Sequence, residues 1–450
     1  LVGLTAANGV KNTYNYDDNT RLAGLNYQNQ NEILKGYTFT YDGANNIKTK
    51  NEDAFSYDSM NQLIYAQLQG YFEVDAREEK QQVGLVREDY FGQEPLAAVV
   101  DETEIIELDY AAGSIGVDLL SAFPVTRIEL TPQAPVNRVQ AESLRLYGSV
   151  DGASYVEIDG WTMQKKENGL LEIVLNTPTD VRFLKVHSLF DERDGDFNPV
   201  NKSEFYNLPQ ELIRVYYQVG TRLEEYSYDV AGNRRTETVT LRSPITKEYT
   251  YYPNSNRLQT IKDRIAFEYD ANGNLTKKGT SYIITGDEVV FDVENGDYWE
   301  YEYDLLNRLT KVNKNGETVA EYLYDEAGYR LKKTGKSSET YYVFSTDGQI
   351  LYEEEEKEYT EYVYVLGKHF ARVDIDKETG EEETYFYHTD HLGSTVLVTD
   401  EAGNTVWSSE YTPFGQITME EGTLTKAAKF TGKDLDEDTG LYYFNARWYD

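Results

Sequence analysis

The chain contains no cysteine. Disulfide staples, thiolate metal sites and a cysteine nucleophile are therefore excluded. Methionine and proline are scarce, 3 and 10 in 450 residues, whereas Tyr and Phe number 40 and 17. Tyrosine suits a pleated, half-wet surface better than a packed helix, so the composition points to an all-β protein. There is no run of 18 apolar residues, and so no membrane-spanning helix. Basic residues are also few: 43 Lys and Arg against 79 Asp and Glu leave a formal charge of -36. Phosphate repulsion would grow with every contact, which argues against nucleic acid and anionic membranes as partners. The charge reads instead as acidic outer faces that keep exposed sheets from sticking together. The run Glu353–Glu356 fits this reading, and Glu358–Tyr364 then alternates polar and aromatic residues like a strand with one wet face. A P-loop, a Gly-x-Ser-x-Gly elbow, a metalloprotease helix and a dinucleotide-binding turn are all missing. With no initiator methionine and no signal-like segment, both ends read as cut, so missing targeting signals carry no information.

What is present is an internal repeat. Tyrosines 16, 41, 57, 228, 252, 269, 303 and 324 open near-copies of one phrase, mostly Tyr-Asp, turn residues, then an Asn or Gly-Asn step. A long form carries Asn45, Gly232, Gly273 or Gly328; a short form carries Asn61, Asn256 or Asn307 followed by leucine two residues on. Tyr16 is nearest the short form through Leu22. The forms alternate, which reads as units of two hairpins with unlike turns. Asp can bond its own backbone two residues on, and Gly supplies the positive φ a hairpin loop needs. Hairpins laid side by side give a long antiparallel sheet that must curl to bury a face.

One gap interrupts the series: Tyr57 to Tyr228 spans 171 residues. The surplus of roughly 150 residues amounts to one domain. The alternation resumes in phase, so a guest fold at 70–209 is expected to enter a loop between intact repeats. Alternating apolar runs at Val125–Leu130, Leu144–Ser149 and Val181–Val186 suggest a β-sandwich.

These residues carry two resemblances. The repeats, with Tyr387–Ser394, Thr399–Asn404, Tyr411–Gly415, Phe430–Lys433 and Gly440–Asp450, resemble the YD/Rhs repeats and Rhs-associated core of bacterial polymorphic-toxin and surface proteins, and the related teneurin ectodomains. That resemblance implies a β-strip spiralling into a shell, open or partial in a chain of this length. It also implies a C-terminal toxin or effector as cargo, and a secreted or cell-surface location. Self-cleavage in such proteins uses a segment beyond Asp450 and is not credited to this chain. The stretches Gly116–Leu119, Val125–Ile128, Leu144–Tyr155 and Val181–Val186 resemble a discoidin (F5/8 type C, galactose-binding-like) module. This implies a jelly-roll that binds glycans or lipid head groups through its loops, sometimes with a structural Ca²⁺; the cysteine pair usual in that family is absent.

The expected architecture is thus all-β: a spiralling antiparallel YD-repeat sheet at 1–69 and 210–380, an inserted jelly-roll sandwich at 70–209, and an Rhs-associated core at 381–450. Candidate residues follow. His388, Asp390 and His391 can hold a metal or move a proton, but in a strand 388 and 390 share a face and 391 points away, and hydrogen bonding inside a terminal plug is the alternative. Asp191, Asp194 and Asp196 form an oxygen-rich loop, a calcium candidate or an ordinary acidic loop. Trp161 is a sugar platform or a core tryptophan. The pairs Tyr41-Asp42, Tyr57-Asp58, Tyr228-Asp229, Tyr269-Asp270, Tyr303-Asp304 and Tyr324-Asp325 are read as stacking between neighbouring hairpins. Arg447 and Trp448 are read as a stacked pair in the plug. The functional expectation is a non-enzymatic scaffold around a toxin cargo, with the insert as an external carbohydrate-binding module. The alternative is an adhesion or carbohydrate-binding protein that uses the repeats as a stalk, and a hydrolase is the third reading.

Overall fold

The computed structural model describes residues 3–30, 32–75, 84–87, 96–97, 114–130, 141, 144–151, 154–166, 170–188, 213–241, 244–336, 338–422, 428–444 and 447–449. The protein is nearly all strand, built around a large antiparallel sheet. It divides into two compact units. One comprises Leu1–Leu68, Leu223–Val239 and Thr246–Asp450, and the other Gln69–Arg222 with Thr240–Ile245.

In the repeat unit, strands pair with their sequence neighbours, for example Tyr298–Tyr303 with Leu309–Lys314 and Glu317–Tyr324 with Arg330–Gly335. One turn closes the hairpins at alternate connections of this meander, and the connections between them, such as Lys314–Glu317 and Gly335–Glu339, are built differently. The Asp42 N–H donates to the Asn46 carbonyl at 2.9 Å, and the Asn45 N–H donates back to the Asp42 carbonyl at 3.2 Å. The same two bonds recur at Asp17, Asp58, Asp229, Asp270, Asp304 and Asp325. The fourth residue after the tyrosine has positive φ every time: 64° at Thr20, 71° at Asn45, 61° at Asn61, 86° at Gly232, 92° at Gly273, 61° at Asn307 and 92° at Gly328. This is a tight turn closed by a left-handed residue and a bulge, and Asn and Gly are the residues that adopt that conformation cheaply. The aspartate adds a clamp: Asp42 Oδ1 accepts N–H bonds from Ala44 and Asn46, both at 2.8 Å.

The long and short forms are therefore not unlike turns. Their backbones are the same, and Tyr252 is the exception, with a turn one residue longer. The alternation lies in the side chains that join one turn to the next. Asn46, Asn233 and Asn274, from long-form turns, donate Nδ2 to the Oδ1 of Asn61, Asn256 and Asn307 in short-form turns, at 3.0, 3.0 and 2.8 Å. In the short forms, Arg21 reaches Asn45 Oδ1 at 2.9 Å, Arg257 reaches the Asp270 carbonyl at 3.2 Å and Arg308 the Asp325 carbonyl at 2.7 Å. Each form supplies the donor the next requires.

Among the repeat tyrosines, Tyr252 meets Tyr269 edge-on at 6.2 Å, and several of their hydroxyls clasp backbone. Tyr41 donates to the Leu22 carbonyl at 2.7 Å, Tyr57 to Ile47 at 3.0 Å, and Tyr324 to Leu309 at 2.6 Å. In each case the acceptor is the first residue of the strand that follows the preceding turn. Tyr228 makes this bond to Leu63 at 2.8 Å, across 165 positions of sequence. The repeat series is thus continuous through space where it is interrupted in sequence.

The second unit is built on two long strands, Ser114–Leu130 and Leu171–Ser188, paired antiparallel with bulges between Asp118 and Phe123 and between Val125 and Arg127. Leu144–Ser149 and Trp161–Lys165 add to the second of them. Alternate residues face a core of Leu119, Ile128, Leu146, Leu171, Ile173 and Val186. Gly148 is required there, because a Cβ would come within 2.2 Å of the Val181 side chain.

Candidate functional site: the packed C-terminal segment

Most of the quoted C-terminal phrases, and Ser345–Gln349 before them, carry further copies of the same turn, whereas Gly440–Asp450 holds the paired strands Leu441–Phe444 and Arg447–Tyr449. Asp390–Ser394 and Asp400–Asn404 close the turn with a carboxylate, and at Ser345–Gln349 and Thr412–Gln416 a hydroxyl takes the carboxylate's place. These hairpins carry a buried polar network on both faces of the sheet.

The strand Glu382–Thr389 includes His388 but ends inside the predicted cluster, so Asp390 does not share a strand face with His388. His388 lies buried, with Nδ1 3.0 Å from Asn12 Oδ1 and Nε2 3.0 Å from Thr399 Oγ1. The Asn12 oxygen sets the proton on Nδ1, and Nε2 accepts from the threonine. This Thr–His–Asn line has the order of a catalytic relay, but burial pushes the His388 pKa down to about 3, and all three residues are buried. Asp390 is the clamp of its own turn, accepting from the N–H groups of Leu392 and Ser394 at 2.8 Å. His391 sits in that turn against the Phe39 ring, 5.1 Å between centroids. The three residues serve three separate environments.

Sequence reading missed the more heavily buried groups. Arg330 occupies the repeat position that Leu22, Ile47, Leu63 and Leu309 fill elsewhere, which is the signal that could have found it. Its guanidinium lies 4.0 Å from the Tyr342 ring, 4.6 Å from Tyr443 and 5.7 Å from Trp448. Trp448 also packs on Tyr322 at 4.6 Å. Arg330 thus lies over Trp448, while the Arg447 side chain, and with it the predicted Arg447–Trp448 pair, lies outside the described residues. Beside Arg330 a cavity of about 370 Å³ is lined by Tyr342, Glu353, Tyr362, Asp434 and Asp436. Asp436 accepts from the Tyr322 hydroxyl at 2.7 Å and Lys333 Nζ at 2.8 Å. Burial pushes the Asp434 carboxyl up, against the pull of Arg330 and Lys433. Glu353 corrects the reading of its acidic run: it faces inward and accepts from Tyr362 at 3.0 Å, while Glu361 remains outside.

His369 is enclosed by Tyr387, stacked at 3.9 Å, and by Tyr362 and Tyr364. Neither ring nitrogen reaches a partner at good geometry, and burial, helped by the Arg372 charge, pushes its pKa down to about 3. Of the remaining predicted residues, Trp161 lies half-buried against the core of the second unit. Asp191, Asp194 and Asp196 lie outside the described residues. Among the described residues no group of three His, Asp or Glu is placed to hold a metal ion, and no helix is long and apolar enough to cross a membrane.

A hairpin iterated through one turn, clasped by tyrosine and ending in a packed aromatic segment, defines a repeat β-scaffold. The teneurin YD-shell family matches residues 148–450, and the chain belongs to that family. The tRNA nuclease WapA of Bacillus subtilis is 31% identical over 252 residues, 54% of this chain and 10% of that protein. The double-stranded DNA deaminase toxin A of Burkholderia cenocepacia is 26% identical over 276 residues, 54% of this chain and 18% of its own length. The chain therefore spans under a fifth of these relatives. Among solved structures, TcdB2–TccC3 aligns over the whole chain and 17% of its own, at 14% identity and a TM-score of 0.46.

Proposed function

We propose that this chain is a non-enzymatic section of a toxin-associated β-shell, which encloses or presents a C-terminal toxin cargo at or outside the bacterial surface. The carrying observation is the clasp between Tyr228 and Leu63 within an otherwise regular series. A wall that holds its register past a large insertion is suited to enclosing volume rather than to positioning a reaction. The buried state of His388 and His369 supports the non-enzymatic reading, since neither can serve as a base near neutrality while so depressed. The relatives matched here include a nuclease and a deaminase toxin, which supports a toxin as the cargo class.

The insert is proposed as a discoidin-like module on the outside of the scaffold, binding glycans through its loops. Fusing a folded reporter domain after Asp450 tests the enclosure. A reporter inside the wall resists proteinase K far longer than the same reporter free in solution; equal digestion would refute it. Glycan-array binding by the full chain tests the insert separately, and a blank array would remove the carbohydrate role while leaving the scaffold intact.

A further inference from the structure

Between Tyr41 and Tyr364, the residue before the aromatic that enters each Tyr-Asp-type turn (Tyr251 in the longer turn) faces out of the repeat sheet. In most repeats it is polar: Thr40, Ser56, Ser227, Thr250, Glu268 and Glu302. Over the next hairpins it is aliphatic, as Leu323, Val343 and Val363, and the neighbouring bulge positions are Leu331 and Leu351. Leu323, Val343 and Val363 are 58%, 54% and 45% exposed, while Tyr322, Tyr342 and Tyr362 beside them are buried on the opposite face. Cross-strand register puts the three on one face: Leu323 pairs with Lys332 and that with Tyr341, Val343 with Tyr352 and that with Glu361. Across these five adjacent strands, about 20 Å, the aliphatic side chains are interspersed with Lys332, Tyr341 and Tyr352. Monomeric proteins seldom leave such a patch bare without a use for it.

The same face shows what covers it. Val363 pairs with Ala371, and Ala371 with Phe386. There Ala6, from the turn between Gly3–Thr5 and Lys11–Tyr16, packs onto both residues. Asn8 in the same turn donates to Thr399 Oγ1 at 2.9 Å and to the Asp400 carbonyl at 2.7 Å. The layer that follows also brings cations, with Lys35 and Lys50 on Glu410 at 2.9 and 3.1 Å. The face is thus covered at one end by a β-hairpin with small apolar residues, in a layer rimmed by lysine, and bare at the other, where Glu361 stands exposed.

We propose that the stripe Leu323–Val343–Val363 docks a β-hairpin of a protein partner, with small or aliphatic residues toward the sheet and lysine at its rim. A second copy of this chain fits less well, because two bodies of charge -36 repel. The probe is a labelled synthetic peptide of residues 3–16, which carries Ala6, Val10 and Lys11, added to the full chain whose own hairpin already occupies Ala371. Anisotropy should show saturable binding that weakens at least about tenfold in the double variant Val343→Lys/Val363→Lys. It should weaken several-fold, roughly, in Glu361→Lys. If the lysine variant loses its far-UV circular dichroism, Val343→Thr/Val363→Thr, which keeps β-propensity, replaces it. No saturable binding, or equal binding to wild type and variants, overturns the proposal. So does sedimentation of the wild type as a dimer that Val343→Lys dissolves, since the stripe would then belong to a second copy.

Discussion

At the scale of single residues, the fold rests on two backbone needs met repeatedly by side chains. The tyrosine hydroxyl satisfies a carbonyl at the start of a neighbouring strand, so Tyr324→Phe leaves the Leu309 carbonyl without that donor. Equilibrium urea unfolding should show a loss of about 1 kcal/mol, near the net worth of one such bond. The left-handed position is the second need. Gly273→Val places a β-branched residue at φ 92° and should cost about 2 kcal/mol, whereas Asn61→Gly, which meets the dihedral demand but removes the acceptor of Asn46 Nδ2, should cost less, about 0.5–1 kcal/mol, in the same assay. The buried histidines set a third expectation. His369 and His388 stay neutral in the fold down to about pH 3 but protonate in the unfolded chain below about 6.5. The unfolded state therefore binds the extra protons between those values, and stability should fall as pH drops through that window. Turn aspartates act later: Asp42 and Asp229 are held below the usual carboxylate range, first by the side chains of Asn46 and Asn233, so their contribution disappears only as pH falls below that range. Thermal melts at pH 7 and 5 should separate, and His369→Phe should narrow the gap, because it removes a titrating ring that lacks good partners and keeps the aromatic stack.

At the scale of the hairpin, much was legible in sequence and some was hidden by it. The strand content, the tyrosine series and the break after Tyr57 all come from periodicity, which a β-sheet imposes strictly. The turn itself was misdivided. Asn61 and Gly232 look like different signals in sequence, yet both answer one demand for positive φ, and only the dihedral reveals that they are equivalent. The same blindness concealed the copies at Ser345 and Thr412, where a hydroxyl stands in for the carboxylate. Inward charges were hidden for another reason. Glu353 sits in a run of four glutamates, and pleat parity rather than composition decides which of them faces the core. His388 and His391 are three apart in sequence, but the strand ends at Thr389, so strand periodicity reaches His388 and could not place His391.

At the scale of the whole molecule, the repeat unit should not depend on its insertion. Gln69 and Thr221 are joined by a side-chain hydrogen bond of 3.0 Å, so the long excursion starts and ends at one place, and Thr240–Ile245 is a second, short one. The clasp of Tyr228 on Leu63 then restores the register on the repeat side. Among the described residues, the clusters around Tyr301, Leu309, Val312 and Tyr322 and around Leu25, Tyr27 and Phe39 are built from residues of the first unit. Deleting residues 70–220 and closing the gap with Asn-Gly, a sequence suited to a two-residue hairpin, should leave a protein that still folds cooperatively. Near-ultraviolet circular dichroism, dominated by the buried tyrosines of the repeats, should persist, with a urea midpoint close to that of the intact chain. Adding Tyr228→Phe to the deletion should cost more than Tyr324→Phe does, because that hydroxyl then spans the only engineered joint. A shortened chain without a cooperative transition would mean that the inserted domain is part of the scaffold's folding unit, and the repeats would no longer be an autonomous wall.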